Sequence, residues 1–135
     1  MITAETYGDS IKSSLKQRGF HKKNLSWNKQ TDDVTILFNI QKSIYGSDVW
    51  YYNFGICINS IHEKKVMSLS GCDMVYRIEQ RIRGKWVTQD TLLKLLDIWI
   101  EKYGTVDKLH IHAISNTLPA PISKQALSYL TTVVF

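Results

Sequence analysis

Two stretches of alternating sequence constrain the fold of this 135-residue chain more than any other feature. Large apolar residues alternate with other residues over most of residues 34–42, and the same pattern recurs in residues 50–60. Because successive side chains of a β-strand point to opposite faces of a sheet, each stretch predicts a strand with one buried face. The residues between are mostly polar or small, so we expect an antiparallel sheet with one face open to solvent.

Shorter signals extend this sheet on both sides. Residues 25–30 predict a short strand that turns at residues 31–33, and residues 73–82 predict a strand after the second alternating stretch. Residues 108–114 predict one more strand or an extended segment. The expected sheet is therefore an antiparallel meander of four to five strands.

Helical spacing and end signals predict an N-terminal helix over residues 3–18. Gly19 follows immediately and suits the left-handed position that ends many helices, after which Phe20 folds back on the last turn. The next three residues, 21–23, are expected to be a solvated turn before the first strand.

Helices also follow the sheet. Thr88 is the expected N-cap of a long amphipathic helix that ends at Gly104, and Ser123 is the expected N-cap of a short final helix. Residues 1–135 are thus expected to form a single α+β domain, with the N-terminal helix and the two C-terminal helices packed on one face of the sheet.

Composition limits the classes of protein to which the chain can belong. Hydrophobic residues make up 44% of the sequence, which is too many for a disordered chain. The N-terminus has no signal-peptide pattern and no apolar run is long enough to span a membrane, so we expect a cytoplasmic protein. Cys57 and Cys72 are then expected to be free, buried or half-buried thiols, although strand pairing would bring them near each other.

A polar face of the predicted sheet supplies the candidate binding site. Amides, an aromatic ring and arginines at outward positions are residue types typical of protein-binding surfaces. A solvated sheet face without a ligand has the same pattern. The candidate binding residues are Asn39, Gln41, Tyr51, Asn53, Arg77 and Arg81, together with Lys22 and Lys23 from the basic stretch that follows the first helix.

Nucleic-acid binding is the alternative function. The formal net charge is +5, and basic residues cluster in residues 12–29 and 77–85 with aromatic residues among them. Single-strand binders need such aromatics exposed on the charged face. Phe20 and Trp27 are better explained as a helix cap and a core residue, which makes this alternative the weaker one.

Signals for catalysis or metal binding are weak. His110 and His112 would share one face of a strand, but no further ligand lies near them in sequence, so we expect no metal site. The chain has no phosphate-binding loop, nucleophile elbow or dinucleotide-binding motif. We expect neither a cofactor nor enzymatic activity, while an enzyme with an unrecognised site remains an open alternative.

Several motifs, in this order, resemble a bacterial family of uncharacterised proteins called domain of unknown function 4304. The segments that carry the resemblance are LKQRGFHKKNLSWNK (15–29), VTILFNIQKS (34–43), YYNFGICI (51–58) and VYRIEQRI (75–82). Asp73 departs from the pattern, because the family resemblance implies a His or an aromatic residue near this position. The resemblance implies a fold but no reaction.

By fold-level analogy, small bacterial α+β domains of this kind resemble immunity proteins, which neutralise a toxin by covering its active face. The leading prediction is therefore a non-enzymatic binding domain of immunity or regulatory type. Its partner would be a protein, either a toxin or a regulatory target, contacted through the polar sheet face.

Overall fold

The computed structural model describes residues 3–42, 49–66, 68–83 and 87–132, with side chains at all of these positions except 49 and 78–83. It confirms an α+β fold with an N-terminal helix, a five-stranded antiparallel meander and C-terminal helices. In chain order the elements are α1 Ala4–Gln17, β1 His21–Lys23, β2 Ser26–Gln30, β3 Val34–Lys42, β4 Val49–Ile58, β5 Met74–Arg83, α2 Gln89–Tyr103, α3 Val106–Ile114 and α4 Lys124–Thr132. The strand order is β1-β2-β3-β4-β5.

The end of α1 has the predicted geometry. Gly19 has a φ of +88°, and its amide donates to Lys16 O at 3.0 Å while the amide of Phe20 donates to Leu15 O at 3.0 Å. These two bonds form a Schellman motif. They turn the chain so that Phe20 enters the core and the sheet begins at the next residue.

The turn predicted at residues 21–23 is wrong, because these residues form β1. They pair with β2 in antiparallel register, with Lys23 opposite Ser26. The chain reverses through Asn24 and Leu25, and Asn24 has a φ of +57°. Asparagine tolerates this left-handed conformation better than most residues do, so it permits a tight hairpin here. The hairpin was not predicted because the charged residues before Asn24 are typical of a solvated turn.

The segment predicted as a strand at residues 108–114 is also wrong, because it belongs to helix α3. Thr105 caps this helix by accepting a hydrogen bond from the amide of Lys108 at 3.2 Å. Val106 and Leu109 are buried at helical spacing. A nine-residue helix has too few apolar positions for its period to be clear from the sequence.

The remaining helix signals are confirmed. Thr88 caps α2 by accepting from the amide of Thr91 at 3.3 Å, and Gly104 follows the last residue of that helix. Ser123 caps α4 by accepting from the amide of Ala126 at 3.2 Å. Three helices therefore follow the sheet among the described residues, one more than predicted.

The main core lies between one face of the sheet and the helices. Trp27 of β2 stacks on Phe38 with the ring centroids 5.4 Å apart. Burying a large side chain of this kind contributes about 1.5–3 kcal/mol, so this face is the main source of stability. The apolar rows at its centre are Val34, Ile36, Phe38 and Ile40 on β3, and Tyr52, Phe54, Ile56 and Ile58 on β4.

The second face of the sheet is open at one end only. The connection between β4 and β5 contains two 3-10 turns, Asn59–Ile61 and Leu69–Gly71, and Leu69–Gly71 lies against this face. Leu37 and Cys57 are consequently buried although they alternate with the main core. At Gly55 a Cβ atom would lie 2.8 Å from Cys72 Sγ, so the close approach requires glycine. The prediction of a solvated second face holds only for the end beyond this connection.

Candidate functional site

The open end of the second face is organised by one row of residues that crosses all five strands. The strand register places Lys23, Ser26, Asn39, Asn53 and Arg77 opposite one another in turn. Directly opposed residues in a sheet point to the same face. Four of the predicted site residues, Lys23, Asn39, Asn53 and Arg77, therefore share a row, and Gln41 and Tyr51 form the next pair along β3 and β4.

Four of these side chains form a continuous set of hydrogen bonds, which we call the amide–guanidinium network: Asn39, Gln41, Asn53 and Arg77. Asn53 Nδ2 donates to Asn39 Oδ1 and to Gln41 Oε1, both at 2.9 Å. Arg77 Nε donates to Asn53 Oδ1 at 3.0 Å, and Arg77 Nη2 donates to Gln41 Oε1 at 2.9 Å. The network spans β3, β4 and β5.

Tyr51 completes the site from β4. The guanidinium carbon of Arg77 lies 4.4 Å from the centroid of the Tyr51 ring, within the range of a cation–π contact. Asn53, at the centre of the network, is only 1% exposed, whereas Gln41 and Arg77 are exposed. The site therefore has a buried amide as its base and an exposed guanidinium at its surface.

The other predicted basic residues do not all join this site. Lys22 is opposite Trp27 and so points to the helix-covered face, where its Nζ lies 3.9 Å from Asp9 Oδ1. Lys22 therefore does not share a face with Asn39, Asn53 and Arg77. Lys23 is exposed on the correct face but at the far edge of the sheet, and the side chain of Arg81 lies outside the described residues.

The basic cluster at residues 12–29 is divided between surfaces. Arg18 forms a two-bond ion pair with Asp97 of α2, and these hydrogen bonds raise the pKa of its guanidinium above the ordinary value. Phe20 and Trp27 are both buried, so neither offers a ring on which a base could stack. Most side chains of the second cluster, residues 77–85, lie outside the described part.

The expectation that His110 and His112 share one face is wrong, because both lie on α3. Residues two apart on a helix are separated by about 200°. His110 Nδ1 lies 2.6 Å from Leu130 O, and His112 Nδ1 lies 2.7 Å from Thr117 Oγ1. In the described part of the chain, no three metal-ligating side chains come together.

Cys57 is buried and Cys72 is half-buried, and both are free thiols as predicted. The pKa of the Cys72 thiol is raised, mainly by a hydrogen bond with Cys57 and secondly by burial. Cys72 is therefore protonated at neutral pH, which makes it a poor nucleophile.

Sequence reasoning missed a second polar cluster, centred on Asp73, at the covered end of the sheet. Asp73 Oδ2 accepts from the amide of Ile58 at 2.8 Å and lies 2.9 Å from His62 Nε2, while Ser123 Oγ donates to Asp73 Oδ1 at 3.0 Å. His62 lines a cavity of about 380 Å³ together with Thr35 and other residues. The only sign of this cluster in the sequence was Asp73, which departs from the family pattern. Its side-chain partners, His62 and Ser123, lie 11 and 50 residues away in sequence.

A carboxylate that orients an imidazole beside a cavity is an arrangement that acid–base chemistry also uses. Here the same carboxylate joins the β4–β5 connection to the residue that caps α4, so it stabilises the covered end of the sheet. None of the predicted site residues belongs to this cluster.

None of the helices described is both long and apolar enough to cross a membrane.

Comparison with known proteins identifies a family for this chain. No curated protein and no solved structure matches the chain. A family model for a domain of unknown function, DUF4304, matches residues 11–118 of the 135-residue chain. The match covers most of the chain, so this protein belongs to the DUF4304 family.

Proposed function

We propose that this domain is a non-enzymatic protein-binding module of regulatory or immunity type, and that it contacts its partner through the open end of the second sheet face. The amide–guanidinium network carries this proposal. Its four side chains come from three adjacent strands and are held in one arrangement by their own hydrogen bonds. Side chains that are already ordered lose little conformational entropy on binding, which favours a specific contact.

The chemistry of these groups also favours binding over catalysis. Side-chain amides do not ionise at neutral pH, and a guanidinium has no acceptor atom, so neither group is a usual general acid or base. Arg77 is exposed and the ring of Tyr51 is half-buried. Arg and Tyr are, with Trp, the residue types most enriched among the residues that dominate the binding energy of interfaces. A rigid sheet holds them, so the surface is formed before the partner arrives.

Nucleic-acid binding through residues 12–29 and 77–85 is the competing function. The burial of Phe20 and Trp27 removes the stacking surfaces that single-strand binders use. Lys22 and Arg18 point away from the row that holds Arg77, which leaves fewer cations on one face. This function is therefore a possible outcome of the test below and not a second proposal.

The proposal is tested by affinity capture from a lysate of the native host. Tagged wild-type protein, Arg77→Gln and Arg18→Gln are compared, and each sample is split and treated with or without nuclease. Arg18→Gln is the matched control because it removes the same charge from the helix-covered side. We expect a protein bound by wild type and Arg18→Gln, with at least about tenfold weaker capture by Arg77→Gln, as for an interface hot spot.

Equal capture of the partner by all three proteins would contradict the proposal. Recovery of nuclease-sensitive material alone, with no protein partner, would establish the competing function instead. Circular dichroism of Arg77→Gln confirms that the variant is folded before its capture is compared.

A further inference from the structure

We infer that the amide–guanidinium network is a carboxylate-binding site, in which Arg77 receives an Asp or Glu side chain or a C-terminal carboxylate of the partner. This inference rests on the proposed function and specifies the chemistry of its central contact. It follows from which atoms of the network are used internally and which are left for a ligand.

The acceptor atoms of the network are used internally. Gln41 Oε1 accepts two hydrogen bonds, one from Asn53 Nδ2 and one from Arg77 Nη2, which occupies both of its lone pairs. Asn53 Oδ1 accepts from Arg77 Nε, and Asn39 Oδ1 accepts from Asn53 Nδ2. A ligand that approaches this surface therefore meets few acceptors.

The donor atoms of the network are only partly used. A guanidinium has five N–H donors, and the bonds of Arg77 within the network engage its Nε and Nη2 atoms alone. The hydrogen bonds of the described residues engage neither Asn39 Nδ2 nor Gln41 Nε2. The exposed surface is thus rich in donors and carries one fixed positive charge, which complements a group that only accepts.

No described carboxylate neutralises this charge. Among the described residues, the contacts within 4.0 Å between a basic and an acidic side chain join Arg18 to Asp97, Lys22 to Asp9 and His62 to Asp73. Arg77 instead stacks on Tyr51, which leaves the edge of its planar fork for a ligand. A planar carboxylate matches that fork with two parallel hydrogen bonds.

The spacing of the cations favours a single carboxylate over a phosphate backbone. Lys23 is the other described cation in the same row, and it lies on β1 while Arg77 lies on β5. Four strand spacings separate them, which is roughly 19 Å. Backbone binding by nucleic acids depends on several cations that follow the phosphates, whereas one guanidinium on a rigid base suffices for one carboxylate.

The inference is tested with three monovalent probes at fixed ionic strength: acetate, dimethyl phosphate and chloride. Arginine Nε–H resonances are followed by nuclear magnetic resonance in wild type, Arg77→Lys and Gln41→Glu. We expect the chemical shift of the Arg77 resonance to change with acetate concentration until it saturates. Acetate should bind with a lower dissociation constant than dimethyl phosphate or chloride. In Arg77→Lys, which keeps the charge but loses the fork, backbone amide shifts of Asn53 should report weaker acetate binding.

Gln41→Glu is the sharper variant, because it keeps the size of the side chain and its acceptor oxygen but places a carboxylate beside Arg77. This internal carboxylate should compete with the ligand and weaken acetate binding by about tenfold or more. Lys23→Gln is the matched control and should leave acetate binding unchanged. An acetate response that survives Gln41→Glu, or tighter binding of dimethyl phosphate, would overturn the inference.

The same variants separate this inference from the proposed function. If acetate fails to bind but capture of the partner still depends on Arg77, the carboxylate site is wrong and the binding module stands. If acetate binds and capture is independent of Arg77, the anion site stands and the proposed protein-binding surface is wrong.

Discussion

The two faces of the sheet are built from the same alternating strands, yet they differ in what covers them. The apolar helix-side rows of β3 (Val34, Ile36, Phe38, Ile40) and β4 (Tyr52, Phe54, Ile56, Ile58) are almost completely buried under four helices. On the other face, the 59–73 connection covers Leu37 and Cys57, and the network around Asn53 occupies the open end. Alternation determines which residues share a face, and it does not determine whether that face is covered.

The difference extends to the way each region uses polar groups. At the covered end, Asp73 accepts hydrogen bonds within the protein and holds the β4–β5 connection against α4. At the open end, Arg77 donates to amides but remains exposed. A buried carboxylate needs partners to offset the loss of its hydration, while an exposed guanidinium retains water until a ligand replaces it.

The largest expected effect is in the main core, and three consecutive residues of β3 compare it with the covered part of the second face and with the open end. Phe38→Ala should lower the free energy of unfolding by about 3–5 kcal/mol, because Phe38 contacts three aromatic rings in the main core. Leu37→Ala on the covered part of the second face should cost about 2–3 kcal/mol. Asn39→Ala at the open end should cost less, about 1 kcal/mol. Urea unfolding of the three variants measures this order, and an equal loss at Phe38 and Asn39 would contradict it.

A smaller effect is expected where the connection packs on the second face. Gly55→Ala would place a Cβ atom 2.8 Å from Cys72 Sγ and 2.9 Å from Leu69 Cδ1. Because these side chains must move, we expect a loss of about 1–3 kcal/mol in urea unfolding. Adding Cys72→Ala should recover part of this loss. If Gly55→Ala alone were neutral, the connection would not be packed tightly against the sheet.

The smallest effect is a dependence on pH that belongs to the helix-covered face. The pKa of the Tyr52 phenol is raised above its ordinary value of 10.0, mainly by burial and secondly by a hydrogen bond with Tyr7. Above pH 10 the folded protein therefore keeps a proton that the unfolded chain releases. The free energy of unfolding is unaffected by this group below pH 10 and falls as the pH rises above 10.

Tyr52→Phe tests this dependence. The variant loses the hydrogen bond that Tyr52 Oη accepts from the amide of Val87, so it should be about 1 kcal/mol less stable at pH 8. Its stability should nevertheless decline less than that of wild type between pH 8 and pH 11. Parallel decline in the two proteins, measured by urea unfolding, would show that the Tyr52 proton is not responsible.

Much of the fold and the centre of the candidate site could be predicted from local patterns. The period of two in β3 and β4 placed Asn39, Gln41 and Asn53 on one face, and antiparallel pairing with β5 placed Arg77 directly opposite Asn53. The end of α1 was predictable because Gly19 and Phe20 act on neighbouring residues. These are interactions of short range in sequence or of simple register.

The failures share a different cause. The face on which Lys22 lies depended on the direction of β1, which in turn depended on a tight turn at Asn24. The pair formed by His62 and Asp73 depended on how the β4–β5 connection folds. In both cases the position of the side chain depended on an irregular segment, whose sequence has neither the period of a strand nor that of a helix.

The amino-acid sequence by itself determined strands β2 to β5, the ends of α1 and α2, and which residues of β3 and β4 face away from the main core, because these follow from backbone geometry and side-chain alternation. The tertiary structure alone decided that α3 is a helix, that one end of the second face is covered, and that Asn53 is buried while Arg77 is exposed. Burial depends on which distant segments pack together, and the free energy of that packing is shared among residues that no local pattern connects.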